Sequence, residues 1–236
     1  MAKGKKTSYY DLNEAFVDPN SNVYSKAIAS DLVLWVRMNP TTPQDLGPYT
    51  LAPSYNNSPT VSQGHIGVKR YDAVLCNAAS SQQAEVTATS GALSFSSTVS
   101  GGTPTASSDR PFSISCWAKP TDLSAIQYLC AKEGGGAPAS DAEYLLYIST
   151  SGEVVFELED ESATDSTEKI TTATGVITSQ KWYHVACTYD GRGTTDARNG
   201  MSIYVNGTKV SVTTGGDGTY VGMQPDHAEP LFMASR

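Results

Sequence analysis

The densest potential chemistry in the chain is the run Glu157-Leu158-Glu159-Asp160-Glu161. In an extended strand alternate side chains share a face, so Glu157, Glu159 and Glu161 would line one side. Two carboxyls about 5 Å apart are what retaining glycoside hydrolysis asks for. Positions four apart do not give that spacing directly, although a twisted concave strand approaches it. With Asp165, the residues Glu157, Glu159, Asp160 and Glu161 also offer the hard oxygen ligands that Ca2+ takes, and calcium is the one cofactor the sequence suggests. Against both stands an acidic hairpin end in solvent. The run passes straight into Ser162-Ala163-Thr164-Asp165, without the tryptophans expected to flank a sugar cleft. On that balance no catalytic residue is assigned and the chain is not read as an enzyme.

Other chemistry finds less support. His65, His184 and His227 are scattered, and no Gly-x-Ser-x-Gly elbow marks a nucleophile. Gly134-Gly135-Gly136 precedes Ala137-Pro138 rather than a helix or a Lys-Ser/Thr pair, so it reads as a loop and not a phosphate cradle. Cys76, Cys116, Cys130 and Cys187 form no CxxC pair. Cys116 and Cys187 fall among apolar neighbours in strand patterns, as buried free thiols do, with an inter-strand disulfide the alternative. Trp35, Trp117 and Trp182 fall in strand patterns where packing is the expected use, and His184 is expected to pack on a sheet or in the core.

The elements that must position these residues centre on Gln180–Val210. Trp182 to Tyr189 alternates bulky and β-branched residues on both phases, which predicts a strand covered on both faces. Met201 to Val205 is a second run, closed by Asn206-Gly207. That pair suits a type I′ turn, whose central residues both need positive φ. Lys209 to Val212 is the expected return strand, so the sequon Asn206-Gly207-Thr208 reads as a hairpin. Upstream, Phe112 to Ala118 is a strong strand, with Phe112, Ile114 and Cys116 facing one way and Ser113, Ser115 and Trp117 the other. Tyr144–Ser149 and Glu153–Leu158 read as a hairpin around Ser151-Gly152. Five prolines between Pro40 and Pro59 exclude a long central strand there.

The run Trp182-Tyr183-His184-Val185-Ala186, continuing through Thr188-Tyr189-Asp190-Gly191 to Ile203-Tyr204-Val205-Asn206-Gly207, resembles the laminin-G-like, concanavalin A-like lectin and glucanase family. Asp31–Trp35 is similar to its opening strand, Gly91–Phe95 to the strand before a polar loop, and Pro111–Pro120 to its F-x-I-x-x-W-x-K-P strand. The resemblance covers roughly residue 31 to the end. It implies an all-β, antiparallel two-sheet jelly-roll sandwich, in a fold that hosts sugar binders, hydrolases and packing modules alike. Glu157 to Glu161 is similar to the family's E-x-D-x-E glycosidase signature, with Glu where the motif has Asp. Pro230–Ala234 resembles the family's penultimate strand, and the chain stops at Arg236 before the last, which would run beside the opening strand. Leu32, Val33, Leu34 and Trp35 are therefore expected to form an open edge, filled by a partner strand. The alternative is that the sequence belongs to a longer chain.

Composition bounds the rest. The chain has 236 residues, 39% of them hydrophobic, with Gly 20 and Pro 12, which fits short strands joined by turns in one domain over residues 31–236. Net charge is -8 and pI about 4.8, against a general nucleic-acid binder, which needs a basic face. No stretch is long and apolar enough to span a membrane, and the basic start at Lys3, Lys5 and Lys6 is not followed by the apolar core of a signal peptide. Residues 1–30, with the basic cluster Lys3, Lys5 and Lys6, read either as a frayed terminus or as an extended arm that docks on a neighbouring subunit through Tyr9, Tyr10 and Phe16, which are unusual in a solvated tail. By analogy with phage structural proteins, which these features resemble, the chain is expected to be a virion structural protein of a phage, in the capsid decoration or the tail. It would be made without a signal, carry a lectin-like surface module, and contact other virion proteins and copies of itself. The alternatives are a carbohydrate-binding adhesion module for a cell-surface glycan and, third, a glycoside hydrolase.

Overall fold

The computed structural model describes residues 32–34, 36–38, 41–47, 51–66, 69–77, 80–87, 91–96, 109–133, 142–160, 166–224 and 229–234. The arm residues Lys3, Lys5, Lys6, Tyr9, Tyr10 and Phe16, the opening Trp35, and Glu161 and Asp165 of the acidic run lie outside them.

In chain order the strands are β1 (Val36–Arg37), β2 (Gln44–Asp45), β3 (Ala52–Asn56), β4 (Thr60–Ile66), β5 (Lys69–Leu75), β6 (Gln83–Thr87), β7 (Phe112–Ala118) and β8 (Gln127–Lys132). They continue with β9 (Tyr144–Ile148), β10 (Val154–Asp160), β11 (Ser166–Thr172), β12 (Tyr183–Tyr189), β13 (Met201–Val205), β14 (Thr208–Lys209), β15 (Val212–Gly216) and β16 (Leu231–Met233). One sheet runs β15-β11-β10-β9-β8-β16-β6-β3, and a second runs β14-β13-β12-β7. Every described pairing is antiparallel. This is the two-sheet sandwich that the strand patterns imply.

Alternation decides what fills it. Phe112, Ile114 and Cys116 of β7, Val185, Cys187 and Tyr189 of β12, and Ile203 and Val205 of β13 turn inward. They meet Tyr144, Leu146 and Ile148 of β9 and Val154, Phe156 and Leu158 of β10 in one core. Phe112 is its hub: it stacks on Phe95 at 4.3 Å between ring centroids and meets Phe156 edge-on at 5.8 Å. Each fully buried Leu, Ile or Phe there contributes about 1.5–3 kcal/mol.

Two expectations change in the structure. The return strand expected over Lys209–Val212 stops short: β14 is two residues long, the Val210 N–H still reaches the Ile203 carbonyl at 3.0 Å, and from Val212 the chain forms β15, which pairs with β11 of the other sheet. Val210 and Val212 both pack on the core, so apolar residues carry the chain from one sheet to the other. The opening strand is also shorter than expected. Leu32, Val33 and Leu34 lie outside any strand, and pairing begins only at β1 with β2. Val33, Leu34 and Val36 are half-buried against the core, so this segment is used for packing rather than as a long edge. Strand β16 sits inside the large sheet, paired with β8 on one side and β6 on the other. Among the described residues the edges of the two main sheets are β3, β15, β7 and β14.

Candidate functional site

On the outer face of the smaller sheet, the inward turn of Phe112, Ile114 and Cys116 leaves Ser113, Ser115 and Trp117 facing out. Trp117 is 48% exposed, where packing was the expectation. Register places it directly opposite His184 of β12. The two rings lie 5.3 Å apart, tilted by 57°. The His184 ring is held a second time, with Nε2 2.8 Å from Ser115 Oγ.

The β13–β14 turn completes the site. Asn206 and Gly207 have φ 52° and 79°, as a type I′ turn requires. Asn206 Oδ1 accepts the His184 backbone N–H at 3.0 Å, and the Asn206 N–H donates to the His184 carbonyl at 2.8 Å. The turn therefore fixes the strand that carries the imidazole. Trp117, His184, Asn206 and Gly207 line an open groove of about 450 Å³. A flat indole face beside an imidazole, a hydroxyl and an amide is suited to a ligand with one apolar face and a rim of hydroxyls.

Among the described residues the acidic run does not converge. Glu157 faces away from the core, where Lys169 Nζ reaches its Oε1 at 3.3 Å and the Tyr147 hydroxyl donates to its Oε2 at 3.1 Å. Asp160 has the opposite phase, is buried, and accepts the Val221 N–H at 3.0 Å. Glu159 shares the phase of Glu157. A calcium site drawing on Glu157, Glu159 and Asp160 together is thus split across two faces of one strand. Among the described residues no three metal-ligating side chains cluster.

Two other carboxylates are buried where loops join the sandwich. Glu143 Oε1 accepts the N–H groups of Phe95 and Ser96 and the Ser94 hydroxyl, while its Oε2 has no partner. Burial pushes this carboxyl up to about 7 against the pull of nearby Lys132 and those three donors. Asp109 accepts from Tyr189 Oη and Tyr220 Oη, each at 2.8 Å, and from the Met223 N–H at 2.7 Å. Its burial outweighs those bonds and raises its pKa. Ser96 and Asp109 are bridged, so both groups clamp the base of the segment between them. They are structural fixtures, not an open site. All four cysteines are free, and burial pushes the Cys76 thiol up to about 11 and Cys116 up to about 12.

Sequence reasoning assigned His184 to packing, read Asn206 only as a turn, and did not single out Ser115. The available signal was phase: Trp117 shares its side of β7 with two serines.

Residues 77–233, more than half of the chain, match the family profile described as the concanavalin A-like lectin/glucanases superfamily. No curated protein matches the sequence. Among solved structures, the binding domain of botulinum neurotoxin serotype C1 is similar, with TM-score 0.52, 15% identity, 88% of this chain covered and 43% of that chain. The Ruminococcus gnavus IT-sialidase CBM40 bound to α2,3 sialyllactose matches with TM-score 0.39, 18% identity, and 52% and 63% coverage. The chain thus spans less than half the length of the neurotoxin domain.

Proposed function

From the premise that the chain belongs to the concanavalin A-like lectin/glucanase superfamily, we propose that it is a carbohydrate-binding module whose site is the Trp117–His184–Asn206 groove. The observation that carries this reading is the half-exposed Trp117, set in register against a hydrogen-bonded histidine on the outer face of the smaller sheet. A pyranose presents C–H groups on one face and hydroxyls at its edge. The indole takes the first, and the His184 ring and Asn206 amide take the second. The test is retention on immobilised glycans. Trp117→Ala is expected to weaken binding at least about tenfold, while Trp117→Phe, which keeps a ring, recovers part of it. Unchanged binding in Trp117→Ala sinks the assignment of the groove.

The setting proposed for the module is a virion surface, beside copies of itself and other virion proteins. Its support is the sequence of the arm, where Tyr9, Tyr10 and Phe16 give a tail the means to dock. Hydrolysis is the weaker reading, because Glu157 is engaged by Lys169 and Tyr147.

A further inference from the structure

Charge is segregated between the two sheets. The larger sheet carries five acids, Glu85, Glu157, Glu159, Asp160 and Glu168, against two lysines, Lys132 and Lys169. The strands β7, β12, β13 and β14 contain no Asp or Glu at all, in a chain of net charge -8. Their charged side chain is Lys209, exposed on β14 opposite Tyr204. Two more exposed lysines stand at the end of the sheet where the groove lies. Lys119 directly follows β7, two residues beyond Trp117, and Lys181 precedes β12, three residues before His184. The segments bearing them are tied together, because the Gln180 N–H donates to the Pro120 carbonyl at 2.7 Å and Gln180 Nε2 to the Thr121 carbonyl at 2.5 Å. Asp122, the acid nearest in sequence, is turned onto Ser124, accepting its N–H at 2.9 Å and its hydroxyl at 2.5 Å.

Resting on the glycan-binding reading of the groove, we propose that its ligand is an acidic sugar, a glycan carrying carboxylates, with the ring on Trp117 and the carboxylate drawn to Lys119 and Lys181. On the large sheet the described lysines stand among five acids, with Lys169 bonded to Glu157, whereas Lys119, Lys181 and Lys209 have no carboxylate beside them on the strands of the smaller sheet. Within a Debye length of about 8 Å at physiological salt these charges act on a bound sugar almost unscreened, and beyond it they do not. The groove therefore selects the charge at the site of contact. Neutral sugars can still stack on the indole but gain nothing from the lysines.

The experiment uses the full chain and three acidic polymers, polygalacturonate, alginate and hyaluronate, each beside its methyl-esterified form and beside a neutral glycan panel. At low salt at least one acid form is expected to bind about tenfold more tightly than its ester, with the preference shrinking as salt rises. Lys119→Ala with Lys181→Ala should reduce acid-form binding about five- to tenfold and leave ester binding unchanged, and Lys→Arg at both positions should restore it. Trp117→Ala should weaken both forms. Equal binding of acid and ester, or retention of neutral glycans alone, overturns the acidic-sugar inference while the groove reading stands. Retention of nothing overturns both.

Discussion

Glu143 is a carboxyl whose charge the fold opposes. Its side chain is buried, one oxygen takes three donors, and the other takes none. With a folded pKa of about 7 against an ordinary 4.5, the native state holds a proton that the unfolded chain releases between those values. Its contribution is therefore fully present below about pH 4.5 and is lost as pH rises through about 7. A shift of that size corresponds to up to about 3 kcal/mol. The midpoint of urea unfolding should thus fall between pH 5 and pH 7.5, and Glu143→Gln, which mimics the protonated form, should flatten that fall. A variant with the wild-type slope would assign the dependence to other groups, of which Glu168, pushed up to about 7 by desolvation against the pull of Arg198, and Asp109 share the direction of shift. The sequence holds no trace of this. Glu143 precedes an apolar run and looks like a surface acid until the sandwich closes over it.

At the scale of elements, the hairpin of β9 and β10 shows how one residue sets a register. Gly152 has φ 72°, and a Cβ there would stand 2.2 Å from the Ile177 carbonyl oxygen. The Gly152 carbonyl in turn accepts the Ile177 N–H at 2.8 Å, so the turn is pressed onto a second loop. Gly152→Ala meets both an unfavourable φ and backbone atoms that cannot give way, and should cost about 2–4 kcal/mol in chemical denaturation. Gly207 makes the opposite case. It too has positive φ, but open space surrounds it, so Gly207→Ala should cost about 1 kcal/mol from φ alone. Equal costs at the two positions would mean that the Ile177 contact is not what constrains the turn. Both turns were legible as Ser-Gly and Asn-Gly. The packing that separates them was not, because Ile177 is distant in sequence from the turn it meets.

For the whole molecule, assembly is tested at the arm. If the arm docks on neighbouring copies, full-length protein carrying Tyr9→Ser, Tyr10→Ser and Phe16→Ser should fall from a defined oligomer to a monomer by light scattering. A monomer both with and without those changes removes the arm's proposed role. The sequence by itself determined the class of fold, because period-two alternation in Phe112–Ala118, Tyr183–Tyr189 and Met201–Val205 fixes which residues can face a shared core. It also determined the Asn206-Gly207 turn, since few residue pairs accept two positive φ angles. Only tertiary structure decided which strands are neighbours. It sent Val212–Gly216 to the other sheet and placed Leu231–Met233 between β8 and β6. The site belongs to this second class. Trp117 and His184 are far apart in the chain and meet through the register of β7 and β12. The acidic run, contiguous in sequence, is divided by the same alternation that builds the strand. Proximity along a chain is local, whereas a binding face is made by long-range pairing.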